Sequence, residues 1–246
     1  MNEADLTGLW VYLSAQPLLG LTMTLLAYGI AWRIQQRLKA HPLANPVLIA
    51  VLLLVTVLTL TETPYRRYFD GAQFVHFLLG PATVALAIPL YHQFRKMRAL
   101  ALPLGVTLLA GSTIAVASAW IVGALLGADT ATLVSLAPKS VTTPIAMAVA
   151  EALGGLPSLT AALVIATGIL GAMCAQGLFR LMRIADPAAQ GFAIGIAAHG
   201  IGTARAFQIN AQTGAFAALA MAANGLLTAV LVPWLVPWLK VWFAGQ

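Results

Sequence analysis

The sequence predicts an all-α polytopic membrane protein with about six transmembrane helices and two re-entrant or broken-helix hairpins. Three observations carry this prediction. Hydrophobic residues make up 61% of the 246 residues and charged residues only 8%, with a mean hydropathy of +0.90. A soluble domain carries about 25% charged residues, so lipid rather than water must face most of this chain. Apolar runs recur at about the 20-residue length that crosses a bilayer. Two further apolar stretches are interrupted in their middles by polar residues with prolines or glycines.

Taken in order, the predicted spans are Leu9–Trp32, Leu43–Thr61, Phe74–Phe94, Leu100–Gly127, Leu159–Met182 and Phe216–Phe243. The leading Met1-Asn2-Glu3-Ala4-Asp5 is acidic and lacks the basic start of a cleaved signal peptide, so the first run is expected to stay as a helix. The interrupted stretches are Thr130–Leu153 and Gly191–Gln212. Pro138-Lys139-Ser140-Val141-Thr142-Thr143-Pro144 breaks the first, because two prolines in seven residues stop a helix. His199-Gly200-Ile201-Gly202-Thr203-Ala204-Arg205 breaks the second through its glycines, His and Arg. Irregular backbone at membrane depth survives only inside protein or along a watery cavity, so function is sought at these two breaks.

The net charge is +6. The bases sit in short clusters between apolar runs and form no stripe, so they read as topology signals rather than a nucleic-acid surface. With the N-terminus outside, Arg33, Arg37, Lys39, Arg95, Lys96 and Arg98 fall inside, and Arg66 and Arg67 outside. If both broken stretches cross, the bases divide six inside to five outside. If both are hairpins, Arg180 and Arg183 move inside, Lys240 stays outside, and the division is eight to three. The positive-inside rule favours hairpins, with Lys139 and Arg205 at their tips.

An internal repeat agrees. Ala166-Thr167-Gly168-Ile169-Leu170-Gly171-Ala172 resembles Ala223-Asn224-Gly225-Leu226-Leu227-Thr228-Ala229 at an offset of 57 residues, each copy in a span that follows a broken stretch. One crossing separates the two hairpin–helix units, which is the inverted-repeat plan of secondary transporters. Small residues in both copies also suit plain helix packing. The chain is expected to be a single membrane domain over 1–246, with N-terminal helices in 1–128 and a core holding both breaks in 129–246.

At the breaks the sequence resembles a known family. Pro138 to Met147 is similar to the first hallmark of the LrgB/CidB family, and Ala198-His199-Gly200-Ile201-Gly202-Thr203-Ala204-Arg205 to its second. Gly80 to Tyr91 resembles a third, and Asn45-Pro46 fits the family's second helix. The likeness runs from about Trp32 to Trp238. It implies a multi-pass protein of the bacterial inner membrane, working beside a small LrgA/CidA-type membrane partner. It implies two functions: antiholin-like regulation of murein hydrolase export and lysis, or transport of small monocarboxylates of the pyruvate, glycolate or glycerate type, as in the related plant plastid transporter. A holin-like pore needs only oligomerising helices, whereas two polar breaks, each with a cation, favour a carrier.

Candidate substrate-binding residues follow from the breaks. A cation at membrane depth costs roughly 2.5–3.5 kcal/mol unless paired or hydrated, so Lys139 reads as a carboxylate-binding ammonium, or else as a snorkelling side chain. Ser140, Thr142 and Thr143 can cradle an anion with freed backbone N–H groups, or bond their own backbone around the prolines. The planar fork of Arg205 suits a carboxylate, a headgroup or an interhelical pair. His199 can donate to substrate or carry a coupled proton, or be structural. Gly200 and Gly202 would let substrate approach the backbone, with a hydroxyl from Thr203. Glu151 is a second proton-coupling candidate, or a solvated carboxylate beside Gly154-Gly155. Asn224, in the repeated motif, can contact substrate or bond a neighbouring helix.

The remaining chemistry is sparse. Cys174 is the one cysteine, read as a small core residue, and excludes an intramolecular disulfide. His41, His76 and His92 read as interfacial, and no metal spacing or cofactor is expected. Trp10, Trp32, Trp234, Trp238 and Trp242 read as belt anchors, and Tyr65-Arg66-Arg67-Tyr68 as a polar outer loop. No Walker loop, H-E-x-x-H or G-x-S-x-G motif occurs, and a Lys139–Ser140 hydrolase lacks an oxyanion device, so no enzyme is expected.

Overall fold

The computed structural model describes residues 17–38, 41 and 44–243; Met1–Asp5, Trp10, Lys39 and the start of the first two predicted spans lie outside these, as does the His76 side chain. Helices are the one regular element among the described residues, which fall into two compact units divided between Ala85 and Leu86.

The first unit holds α1 (Pro17–Arg37), α2 (Pro46–Leu60), α3 (Tyr65–Phe77) and α4 (Leu79–Ala85). Asn45 starts α2: its side-chain oxygen accepts from Val47 N and Leu48 N at 2.9 and 3.2 Å, and Pro46 occupies the first turn, where no N–H is missed. Ala27 and Ala31 of α1 pack on Ala50 of α2. Gly20 lets α1 lie against the Tyr68 carbonyl of α3, and Thr24 Oγ1 meets Tyr68 Oη at 2.8 Å. The predicted outer loop Tyr65–Tyr68 is therefore wrong: these residues are the first turn of α3, opened by the Tyr68 N to Pro64 O bond at 3.3 Å.

The predicted span Phe74–Phe94 is also corrected. α3 ends at Phe77 and α4 at Ala85, and α5 is Ala87–Ala99. Pro81 and Pro89 lie four residues beyond those two ends, where a proline ring clashes with the preceding turn's carbonyl and supplies no N–H.

In the second unit, α5 leads into α6 (Ala101–Leu125), then α7 (Thr130–Leu136), α8 (Thr143–Ala152), α9 (Pro157–Leu181), α10 (Pro187–Ile209) and α11 (Ala211–Phe243). Three of the predicted spans, α6, α9 and α11, are single helices long and apolar enough to cross a membrane. At 1.5 Å per residue, the 25-residue α9 is about 37 Å long.

Both broken stretches are helical hairpins. In the first, Ser135 Oγ accepts from Leu156 N at 2.7 Å, so the chain leaves Ser135, turns after Pro138 and returns along α8. α8 spans ten residues, about 15 Å, so this hairpin reaches roughly half of a 30 Å bilayer. In the second, helix runs on either side of one residue, His199, at φ 38° and ψ −133°. A Cβ at Gly202 would collide with Ala198 and also with Ile194, eight positions back, two turns away in a continuous helix. α10 therefore folds on itself, and its 12-residue inward arm 187–198 reaches about 18 Å. The sequence places this break across His199–Arg205, through its two glycines together with a His and an Arg. The left-handed residue is His199 itself, and Gly202 serves the close approach of the two arms.

α9 and α11 run between the hairpin mouths in opposite directions. α9 starts at the first mouth, where Leu156 is bonded, and ends at the second, where Gln190 Nε2 donates to Ile184 O at 2.7 Å. α11 starts beside the second hairpin, with Thr213 against Gly191, and ends at the first, where Lys240 Nζ donates to Leu153 O at 3.3 Å. The hairpins thus reach inward from opposite ends of α9. The 57-residue offset extends through both: Asp129 and Asp186 cap the inward arms by accepting from Thr132 N and Ala189 N at 2.9 and 2.8 Å, and Thr142 and His199 mark the turns.

A Cβ on Gly195 would collide with the Ala217 carbonyl of α11, whereas one on Gly177 of α9 meets nothing within 4 Å. Gly195→Ala is expected to lower stability by about 1–3 kcal/mol, and Gly177→Ala to leave it equal or raise it by up to about 1 kcal/mol. Thermal melts in detergent followed by helical ellipticity test this; equal midpoints would refute the α10–α11 packing.

Candidate functional site

The two breaks meet, and a single amide joins them. Asn224, midway along α11 and 1% exposed, donates from Nδ2 to Ile196 O at 3.0 Å and, with a longer bond, to Ser140 O at 3.4 Å. Its Oδ1 accepts from Ser112 Oγ of α6 at 2.5 Å and Thr228 Oγ1 at 3.3 Å. Both of the amide's donors and its acceptor oxygen are engaged. The carbonyls are available because the helices break. Ser140 lies in the turn between α7 and α8, and His199 interrupts the ladder just after Ile196, orphaning the last carbonyls of the inward arm.

His199 is 4% exposed and holds the second tip against α9. Its Nε2–H donates to Val164 O at 2.9 Å, and its own carbonyl accepts from Thr203 Oγ1 at 2.7 Å. Gly168 makes room for it: a Cβ there would lie 2.7 Å from the imidazole. The repeat-related Gly225 makes room for Ile145 of the first hairpin, where a Cβ would lie 2.9 Å from Cδ1. Each glycine of the repeated motif therefore seats a hairpin. A non-glycine residue at positive φ costs of order 1–3 kcal/mol, and the fixed imidazole and the bonded carbonyl hold it in place.

Beside the tips lies an open cleft of about 630 Å³. Lys139 brings its one charge and, with Ser140, lines it from the first tip, with Thr107 and Gly111 of α6, Thr167 and Cys174 of α9 and Ile196 of α10 among its walls. Lys139 is half-buried, and Nζ donates to Ser140 Oγ at 3.3 Å. Among the described residues no carboxylate pairs with it; the one ion pair there is Lys96 with Asp186, at 3.7 Å on the surface. Cys174 is exposed rather than in the core.

The other sequence candidates lie elsewhere. Thr142 caps α8 without a side-chain bond, and Thr143 begins that helix; neither lines the cleft. Gly202 is filled by its own hairpin, and a Cβ at Gly200 would face Met221 Sδ at 3.8 Å. Glu151 is exposed near the mouth of the first hairpin. Arg205 is not at the tip: it sits six residues beyond His199 on the outward arm, donating to Gln176 Oε1 of α9 at 2.9 Å and to Gln208 Oε1 at 2.8 Å. Sequence reading missed Ser112, Thr228, Thr107 and Gln176. Ser112 carried a signal, since a polar residue in the centre of a span must find a partner.

A broken-helix hairpin from each end, joined at mid-depth beside a cleft, defines an all-α polytopic membrane protein with an inverted repeat. The chain belongs to the LrgB-like family, whose profile matches residues 24–238. It is 36% identical over 217 residues to "Uncharacterized protein YwbG" of Bacillus subtilis (strain 168), covering 88% of this chain and 96% of that one. It is 31% identical over 217 residues to "Antiholin-like protein LrgB" of Bacillus mycoides (strain KBAB4) and of Bacillus cereus (strain B4264), covering 88% of this chain and 94% of each relative. No solved structure matches the chain.

Replacing Asn224 by Leu strands two buried carbonyls, each costing about 1–3 kcal/mol. The expected loss is therefore several-fold larger than the roughly 1 kcal/mol for Ser112→Ala. Because the two share one network, Ser112→Ala should cost less in the Asn224→Leu background. Denaturation of the single and double variants in mixed micelles measures all three; additive losses would refute the node.

Proposed function

We propose that the chain is a secondary carrier or facilitator of small monocarboxylates across the bacterial inner membrane. The observation that supports this best is Lys139: a half-buried ammonium at a hairpin tip, facing a cleft and without a carboxylate partner among the described residues. Such a charge at membrane depth is costly unless an anion or water accompanies it. A carboxylate can take its oxygens to Lys139 Nζ and the Ser140 hydroxyl, with its short carbon chain against Ile196 and Gly111. One ammonium beside the cleft suits a monoanion, in keeping with the pyruvate, glycolate and glycerate class that the family resemblance implies. Two hairpins of opposite approach supply the moving parts of alternating access, in which one tip withdraws while the other holds the site closed. His199 acts as the fixed seat of its tip, and Arg205 orients the outward arm through Gln176. No chemical step on the substrate is involved.

A second reading is favoured by the printed name of two relatives, antiholin-like protein LrgB. In it the chain regulates murein hydrolase export and lysis by forming or modulating a pore. An LrgA/CidA-type small membrane protein is the expected partner in both readings.

The readings separate in proteoliposomes, prepared with and without such a partner. Uptake of labelled pyruvate, glycolate or glycerate should saturate, fall to background in Lys139→Ala and survive in part in Lys139→Arg. The same substrate should slow maleimide labelling of Cys174, which lines the cleft, in the parent chain and not in Lys139→Ala. Non-saturating flux that also releases an unrelated dye would overturn the carrier in favour of the pore. Saturable uptake unchanged in Lys139→Ala would overturn the site.

A further inference from the structure

At the Asn224 node every hydrogen of the amide is used, yet each of the two carbonyls it meets keeps a second lone pair. Two backbone carbonyls, Ser140 O and Ile196 O, from opposite hairpins converge on the same amide nitrogen, at 3.4 and 3.0 Å. On the amide's other side stand two hydroxyls, Ser112 and Thr228. These two sides differ in one respect. A hydroxyl donates or accepts by rotating its hydrogen, whereas a carbonyl only accepts. If the amide turns over, its nitrogen can donate to Ser112 and Thr228 as well as its oxygen now accepts from them. Its oxygen then faces the two carbonyls, and three acceptors point at one place. That state is repulsive unless a cation stands among them.

From this geometry we infer that Asn224 Oδ1, Ser140 O and Ile196 O form a sodium site at the meeting point of the two hairpins, with the amide N–H₂ group bonding the two carbonyls in place of the ion in the present conformation. The donors select the ion. Hard cations take oxygen ligands, and a set of neutral oxygens without a carboxylate suits a monovalent rather than a divalent one. Mg²⁺ keeps several waters and demands a near-ideal octahedron, which three oxygens on one side of the ion do not supply, and there is no room for a water on the Ser112 and Thr228 side of the junction. Na⁺ is about the size of Ca²⁺, whose oxygen ligands sit at about 2.3–2.6 Å, so neighbouring oxygens of one shell at right angles lie about 3.3–3.7 Å apart. In the turned amide Oδ1 takes the nitrogen's place, 3.0 and 3.4 Å from the two carbonyls, and the ion sits to one side of the three oxygens. Helix-terminal and unwound carbonyls of discontinuous helices supply such ligands in general. Ser140 and Ile196 also line the 630 Å³ cleft, which gives the ion an access path and a side from which water can complete its shell.

The site goes beyond the carrier reading, and only its coupling rests on that reading. Lys139 Nζ lies 3.3 Å from Ser140 Oγ, so a bound Na⁺ has an ammonium close by. A carboxylate on Lys139 neutralises that repulsion, and each ligand therefore favours the other. By linkage the enhancement is reciprocal.

The test uses the purified full chain. Binding of ²²Na⁺ without any carboxylate, and thermal midpoints in NaCl, KCl and choline chloride of equal ionic strength, read the site directly. Saturable ²²Na⁺ binding and a midpoint raised several degrees by NaCl alone are expected. Both should be lost in Asn224→Ala. Asn224→Asp, which keeps the shape and presents an anionic oxygen to the carbonyls, should bind ²²Na⁺ several-fold more tightly and decides the matter if the alanine variant does not fold. Equal midpoints in the three salts, or an Asn224→Asp variant with unchanged ²²Na⁺ binding, would overturn the site. In proteoliposomes the apparent affinity for pyruvate should be roughly 5-fold or more higher in Na⁺ than in choline. Carboxylate uptake that is indifferent to Na⁺, together with absent ²²Na⁺ binding, would refute the site and leave the carrier standing. ²²Na⁺ binding with no carboxylate uptake would refute the carrier and leave the site standing.

Discussion

The second unit is organised around one buried amide. Each hairpin must leave backbone carbonyls without helical partners where it turns, and in a membrane interior no bulk water satisfies them. Asn224 takes one carbonyl from each hairpin and ties its own oxygen to α6 through Ser112. Without it, the two breaks would be two separate defects. With it, they become one junction to which α6, both hairpins and α11 all contribute. The position of Asn224 midway along α11 sets the depth at which the tips meet.

Close approach of backbones makes this junction reachable. Lipid tails are as apolar as leucine, so helices in a membrane associate through packing and hydrogen bonds rather than through exclusion of water. Here Gly191 and Gly195 bring α10 onto carbonyls of α11, Gly202 brings the two arms of α10 together, and Gly168 and Gly225 each seat a hairpin. The large apolar side chains are used differently. Leu226, Val230, Trp234, Trp238 and Trp242 of α11 all stay exposed at four-residue spacing, a lipid-facing ridge, while alanines fill much of the interior.

The inverted repeat gives this packing a functional consequence. Two hairpins of similar length enter from opposite ends of α9 and are joined through Asn224 by one bond of 3.0 Å and a longer one of 3.4 Å, which makes them two comparable halves of opposite approach. Lys139 lies at one tip and His199 at the other, yet they are not equivalent. Lys139 borders open space, and His199 is locked to Val164. The asymmetry leaves the first hairpin bordering the cleft and the second anchored to α9.

Composition determined that the chain is a membrane protein, because 8% charged residues cannot clothe a soluble surface, and apolar runs of about 20 residues made it all-α. The two prolines around Lys139 located the first break, and the 57-residue repeat disclosed the paired plan, since proline chemistry and duplicated glycines are written locally. The base count favoured hairpins over crossings. The sequence did not reveal that His199, rather than a neighbouring glycine, bears the positive φ, that Phe74–Phe94 breaks at two points, or that Arg205 turns to Gln176 while Lys139 faces the cleft. It left Asn224 between a substrate contact and a helix bond, and showed of Ser112 only that it is polar within a span, not which partner it meets. Those outcomes depend on which carbonyls lose their helical partners and which side chain lies opposite them once distant segments pack. Only the tertiary structure brings Ser112, Ser140, Ile196 and Asn224 to one point, because hydrogen bonds across such separations are made by packing and leave no periodic trace in the chain.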